Sequence, residues 1–280
     1  MSATGPVLTV APGGRFDPYA ERVAASPLRF LYGLNPLAKL FAPLPVIVVL
    51  VFVRDLATPA VFLGLAYALL LVGVRFTPRL VGMLVLAIPL ATLALALGFA
   101  VWADAALVSD TPIAWRIGDW TMYQGALLIG LATGLRLAAI IALTLLAGLS
   151  TAGPDFVRAS VQQLRVPYRI GYTALAAFRF VPRFGHELDV IRQAHRVRGA
   201  HGGRGPFAAL ARWFGYIVPL MAGGIRHAER VALAMDARAF GAHRDRTERH
   251  LVPWRTRDTV FVVLFWAVSA ALFVGAAVLR

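Results

Sequence analysis

The sequence predicts an all-α integral membrane protein, with about five transmembrane helices and long amphipathic cytoplasmic helices between the fourth and fifth. Three observations carry that expectation. The 280 residues are 59% hydrophobic, with a mean hydropathy of +0.71, whereas soluble domains are about half apolar. Five apolar stretches punctuate the chain, most of them near the roughly 20 residues that a bilayer-spanning helix needs. The formal charge is +14, Lys39 is the sole lysine, and eighteen arginines crowd into the interval between the fourth and fifth stretches, from Arg158 to Arg257.

Taken in order, residues 1–34 are polar and rich in glycine and proline. They lack the basic start and apolar core of a signal peptide and are expected to form a disordered cytoplasmic tail. Residues 35–149 hold the first four spans, at about 40–53, 57–74, 80–102 and 122–149. Pro43 and Pro45 stand at the start of the first, where a helix tolerates proline best. Residues 251–280 hold the last span, from about Thr259 to Leu279. Loop charge orients the set. Arg15, Arg22, Arg29 and Lys39 precede the first span, Arg75 and Arg79 separate the second from the third, and the loop before the fourth carries Asp104, Asp110 and Asp119 against Arg116 alone. Positive loops stay in the cytoplasm, so the expected topology is multi-pass in the cell membrane, with the N-terminus inside and the C-terminus outside.

Residues 150–250 form the region around which the chain is organised. Prolines and glycines divide it. A short helix is expected from Pro154 to about Leu164, ended by Val166-Pro167. A second runs from Tyr168 to Val197 with Pro182 as a kink, and a third from Phe207 to Ala239, loosened by Pro219 and Gly223-Gly224. Gly199–Pro206 reads as a loop and Gly241–Arg257 as a polar linker. The early halves of the two long helices are mainly apolar, and their later halves mix charge with stripes such as Ile191, Ala194, Val197 and Val231, Ala234, Met235. That pattern suits amphipathic helices packed under a membrane, or presented to a partner.

Several chemistries are excluded. The chain has no cysteine, so thiolate metal sites and thiol catalysis are out. A phosphate-binding loop needs Gly-Lys-Ser/Thr, and Lys39 lies in Leu37-Ala-Lys-Leu, so the chain binds no nucleotide of its own. The fourteen acids are scattered, which argues against a metal-assisted head-group transferase. The six histidines lack the His-x-x-x-His spacing of a helical metal site, so no metal is expected. No soluble basic domain stands apart to read nucleic acid. Arg136 lies inside the fourth span, and two readings of it stand: a functional intramembrane charge, or a guanidinium that faces a polar groove or snorkels to the interface.

The motifs resemble the transmembrane T component of energy-coupling factor transporters, the prokaryotic importers of vitamins and metal ions. Asn35-Pro-Leu-Ala-Lys-Leu40 is similar to that family's Asp-Pro-Arg-Thr-Lys-Leu element. Ser150-Thr151, Pro154 and Val166-Pro167-Tyr168 are similar to its Thr-Thr, Pro and Val-Pro-Tyr sequence, and Phe178-Arg-Phe-Val-Pro182 to its Leu-Arg-Phe-Ile-Pro. Arg136 falls where the family often has arginine. The family's two Ala-Arg-Gly tripeptides correspond to Val197-Arg198-Gly199 and Ala237-Arg238-Ala239, with both arginines kept and alanine replacing the second glycine. The resemblance implies a non-catalytic subunit with no cofactor of its own. ATP and Mg would sit on two partner ABC ATPases, which meet Arg198, Gly199, Ala237 and Arg238, while a small membrane-embedded S component selects the cargo and the lipid bilayer surrounds the spans. Glu187, Glu229 and Asp236 are expected to orient the helix ends, with Pro182, Pro219 and Arg136 in support. The Gly-to-Ala change at Ala239 is expected to affect only how closely that backbone approaches a partner. The competing readings are a membrane-embedded lipid or isoprenoid enzyme and a passive adaptor with a basic cytoplasmic platform.

Overall fold

A computed structural model of the chain describes residues 27–74, 77–103, 108–117, 120–199, 205–243, 247–248 and 250–278. They divide into two compact units. One comprises residues 27–151 together with those from Pro253 onward, and the other is Ala152–Val252.

The first unit is a helical bundle. Its helices are α1 (Pro36–Phe41), α2 (Leu44–Phe52), α3 (Ala57–Gly73), α4 (Pro78–Gly82), α5 (Ile88–Val101), α6 (Gln124–Ser150) and α10 (Thr256–Val278). Among the described residues, three stretches are long and apolar enough to cross a membrane: Leu80–Val101, Gln124–Ser150 and Thr256–Ala276. The first two expected spans are shorter apolar helices, Pro36–Phe52 and Ala57–Gly73. At ~1.5 Å per residue, the 17 residues of α3 reach about 25 Å, under the ~30 Å of a hydrocarbon core. Pro43 and Pro45 account for the break between α1 and α2, because neither can donate to the carbonyl four residues back. Pro89 acts likewise in the third stretch. It leaves Val85 without its usual donor, and Met83–Ala87 widens into a π-turn between α4 and α5, with Ile88 N–H bonded to the Met83 carbonyl.

The bundle centres on α6, whose apolar window is 44% buried against 22% for the other two spans. From Ala126 to Ala142 its inward face is made of small residues, Ala126, Gly130, Ala132, Gly134, Ala138, Ala139 and Ala142, and Leu143 and Leu146 continue it. A Cβ placed on Gly134 would come within 2.7 Å of the Thr92 carbonyl, and one on Gly130 would press still harder on that of Ala96. Large apolar side chains such as Leu90, Leu93, Val263 and Leu264 point outward. Small-in, large-out is what helices do in lipid, where backbone approach and dispersion replace the hydrophobic effect. Between α5 and α6 lies an antiparallel hairpin, β1 (Ile113–Ile117) with β2 (Trp120–Tyr123), which pairs Trp115 with Met122 and Ile117 with Trp120. From composition alone this interval reads as plain loop. Gly118-Asp119 between two alternating runs was the available signal.

The expected tail folds near its end. Pro27–Gly33 is a 3₁₀ helix with Leu31 fully buried in the bundle core, while residues 1–26 lie outside the described residues. Next to it is a buried polar node. Asn35 caps α1, accepting from Leu37 N–H at 3.0 Å. Its own N–H donates to Asp258 Oδ1 at 2.7 Å, and its Nδ2 donates to the Pro253 carbonyl at 3.4 Å. Asp258 Oδ2 accepts from Arg255 N–H at 2.7 Å, reaching back over the first turn of α10 as a capping-box acid does. Lys39 Nζ donates to the Ser150 carbonyl at 2.7 Å, at the negative end of α6. Arg257 also bonds the Gly33 carbonyl. Asn35, Lys39 and Asp258 are 4%, 2% and 1% exposed.

The second unit contains α7 (Gly153–Gln163), α8 (Tyr168–Val197) and α9 (Pro206–Asp236), close to the expected bounds. Gly171 lets α8 meet Val157 and Val161 of α7. Gln162 and Gln163 clip the returning chain, bonding the His250 carbonyl at 2.9 Å and the Val252 carbonyl at 2.7 Å. Both α8 and α9 run through Pro182 and Pro219 without interruption. Of the expected Gly199–Pro206 loop, residues 200–204 lie outside the described residues. The polar linker ends earlier than expected, because Thr256 and Arg257 already belong to α10.

Candidate functional site

The packing of α8 on α9 sets the site. Phe180 stacks on His227, with ring centroids 4.4 Å apart. Further along, Glu187 lies against Gly223, and His195 meets Tyr216 edge-on at 5.3 Å. Arg192 sits over the same Tyr216 ring at 5.9 Å. As numbers rise in α8 they fall in α9, so the pair is antiparallel. Gly215 and Gly224 give the rings of His195, Phe180 and Phe184 room to lie against the α9 backbone, and Gly223 does the same for Glu187. At the far end, Phe240 packs on Tyr168 and Tyr172, and Arg169 Nη2 donates to the Gly241 carbonyl at 2.6 Å.

Each helix ends in the same turn. In α8 the last residues are Val197 and the cap Arg198. Gly199 follows at φ 68°, its N–H bonded to the Arg196 carbonyl at 3.1 Å. In α9, Ala239 N–H bonds the Asp236 carbonyl at 2.9 Å and Phe240 N–H bonds that of Met235 at 3.0 Å. This is the Schellman pattern, with Ala239 at the left-handed position and a φ of 54°. Arg198 and Arg238 therefore hold equivalent positions, each one residue before a left-handed turn. Both are exposed, and among the described residues neither guanidinium has a hydrogen-bonded or ionic partner. Because the helices are antiparallel, the two arginines lie at opposite ends of the pair. A 30-residue helix separates them, on the order of 40 Å.

The turn adds a conformational consequence to the change at Ala239. Gly199 has a φ of 68°, a conformation that favours glycine, and a Cβ there would meet no described atom within 4 Å. At Ala239 the same conformation is imposed on an L-residue, at a cost of about 1 kcal/mol. Ala239→Gly is accordingly expected to raise the thermal midpoint of the detergent-purified chain, and Gly199→Ala to lower it. Equal midpoints in both variants would show that neither turn carries this strain.

The supporting acids are placed differently from expectation. Glu187 is eleven residues before Arg198, about 16 Å along the helix, and lies at the α8–α9 contact. Glu229, nine residues before Arg238, is on the opposite side of its helix and exposed. Asp236 contributes to the turn through its backbone carbonyl. No acid side chain among these orients a helix end. Ala237 is exposed in the last turn of α9.

Arg238 also borders a cleft of about 780 Å³, together with Arg158, Arg179, Arg183, His227 and Glu248. Arg158 is paired with Asp155 at 3.0 Å, and Glu248 accepts from the Tyr172 hydroxyl at 2.7 Å. On the face of α9 turned away from α8, Phe207, Leu210, Phe214, Val218, Met221 and Ile225 recur at steps of three and four residues. They are 54–86% exposed. The second long helix is thus apolar on two opposite faces, and α8 covers one of them. No group of three His, Cys, Asp or Glu is placed to hold a metal among the described residues.

Arg136 is half-buried in α6, and its Nε is buried without a hydrogen-bond partner among the described residues. An orphaned donor costs about 1–3 kcal/mol. Arg136→Leu is therefore expected to stabilise the isolated chain by about 1 kcal/mol in detergent. A lower thermal midpoint would mean that the guanidinium is satisfied.

A family model described as CbiQ, cobalt transport protein, matches residues 28–249. Similar proteins described as energy-coupling factor transporter transmembrane protein EcfT occur in several bacteria. The one from Bacillus subtilis is 27% identical over 175 residues, 60% of this chain and 66% of the relative. That from Staphylococcus aureus is 29% identical over 55% of this chain and 60% of the relative. That from Thermotoga maritima is 34% identical over 40% and 41%. The chain thus spans less than two thirds of the length of these curated relatives.

Proposed function

The chain belongs to the CbiQ family of cobalt transport proteins, and from that premise we propose that it is the membrane coupling subunit of an energy-coupling factor importer. In this reading it does no chemistry. Two ABC-type ATPase subunits, holding ATP and Mg, engage Arg198 and Arg238. Their closure moves α8 and α9, and the motion passes to a small membrane-embedded subunit that binds a vitamin or a metal ion. The second unit lies on the cytoplasmic side with the N-terminus, in keeping with its arginine content.

One observation carries the reading: two exposed, unpaired arginines in equivalent left-handed turns at opposite ends of one antiparallel helix pair. Two separated, equivalent cationic ends suit two equivalent partners. Arginine fits the task, because its planar guanidinium pairs bidentately with carboxylate and keeps its charge at any physiological pH. The exposed apolar face of α9 supports the third partner, since an apolar membrane subunit is what would remove six large hydrophobic side chains from water.

The test is assembly and transport with the chain's genomic neighbours. Tagged in a mild detergent, the chain is expected to bring down ATPase subunits and a small membrane protein, and the reconstituted assembly to import only with ATP. A chain that purifies alone, or that turns over a lipid substrate without ATPases, would sink the proposal.

A further inference from the structure

Among the described residues, the polypeptide passes between the two units at two places, between Thr151 and Ala152 and between Val252 and Pro253. Whatever the second unit does, it reaches the bundle covalently through the end of α6 and the approach to α10. Helix ends are where such a path is weakest. The last carbonyls of α6 and the first N–H groups of α10 have no partner within their own helix, and such ends fray.

Both ends are held by one short segment. Lys39 donates to the Ser150 carbonyl, one residue before the first junction, and Asn35 Nδ2 donates to the Pro253 carbonyl, at the second. Between them Asp258 accepts from Asn35 N–H and from Arg255 N–H, which fixes the first turn of α10 to the same segment. The turn from Asn35 to Lys39 brings both side chains to one face of α1. Asn35, Lys39 and Asp258 are nearly sealed from solvent, so their bonds do not compete with water. A buried lysine, asparagine and aspartate are an expensive way to hold two helix ends if only stability is at stake, because apolar packing serves that purpose without desolvating charge.

We infer that Asn35, Lys39 and Asp258 are positioning residues that make both junctions stiff, so that displacement of the second unit is delivered to α6 and α10 together rather than lost in fraying of either. The inference rests on the coupling function proposed above and assigns the force-bearing connection within the chain.

The experiment uses the full chain, wild type and Lys39→Met, alone and assembled with its partners. Hydrogen–deuterium exchange of the chain alone is expected to accelerate at least tenfold at residues 147–151 in Lys39→Met. In the reconstituted assembly, substrate imported per ATP hydrolysed is expected to fall at least tenfold while the ATPases remain bound. Unchanged exchange would show that the node does not hold the junction. Faster exchange with an unchanged ratio of transport to hydrolysis would make the node merely structural. Either result overturns the inference. If wild type binds no ATPase, the coupling function itself fails and this inference falls with it, while the exchange measurement still reports separately whether the node holds. Should Lys39→Met not accumulate, Asn35→Ala releases Pro253 and is judged by the same ratio, with exchange followed at 254–258.

Discussion

Reversing both helix-end charges, Arg198→Glu together with Arg238→Glu, is expected to strip the ATPases from the purified assembly and to cut transport at least a hundredfold. Losing one member of a desolvated, hydrogen-bonded charge pair costs about 2–5 kcal/mol, and reversal adds repulsion from the carboxylates that remain. Each 1.4 kcal/mol is tenfold in affinity, so about 3 kcal/mol at each site already exceeds a hundredfold. The isolated chain should fold as before, because both side chains are exposed and partnerless among the described residues. Either single reversal should weaken assembly less than the double, since one intact end still tethers the complex and holds the other at high effective concentration. Arg226→Glu is the control. It makes the same charge change on an exposed face of α9, far from either end, and should leave assembly intact. ATPases that survive the double reversal would show that the arginine ends are not the docking points.

Gly130→Val should be the most destabilising single change in the bundle, by about 3 kcal/mol or more, with little folded protein recovered. Its new side chain would be driven into the Ala96 carbonyl and the Ala100 backbone, where nothing flexible can yield. Gly98→Ala provides the contrast within α5. No atom lies within 4 Å of a Cβ there, so it should be neutral or stabilise by about 0.5 kcal/mol. The comparison is read as thermal midpoint and monodispersity in detergent. Equal tolerance at both positions would mean that α5 and α6 are not packed backbone to backbone.

What was legible in the residues is what local chemistry decides. Pro167 and Gly199 bracket α8, and Pro206 opens α9, because proline and glycine act on their own backbone and neighbours. Arg198 and Arg238 were singled out by the resemblance to the family's tripeptides, and each stands one residue before a left-handed backbone position. What escaped depends on residues that meet only in three dimensions. Asn35 and Asp258 are 223 positions apart, and nothing near either one announces the other. Lys39 was noted for what it excludes, a nucleotide site, while its bond to Ser150 went unseen. Glu187 was expected to help orient a helix end, yet helical rise puts it about 16 Å from Arg198. At Ala239 the departure from glycine was visible, but the left-handed backbone in which it is set was not. The break at Pro43 and the π-turn before Pro89 follow from missing N–H groups, and show how prolines tolerated in apolar helices still redirect them.

The antiparallel sense of α8 and α9 has a mechanical corollary. Two loads drawn toward each other at the ends of a rod, with equal size and opposite direction, produce no net translation. Any component across the axis becomes a couple that turns the pair about its middle, where Glu187 faces Gly223. The glycines there remove the knobs that would resist such turning, whereas the aromatic contacts at Phe180–His227 and His195–Tyr216 bracket it on either side. A parallel pair with its arginines at one end would be pinched instead of swivelled. If the proposed ATPases load the two arginine ends, the order in which the polypeptide doubles back makes the output a torque.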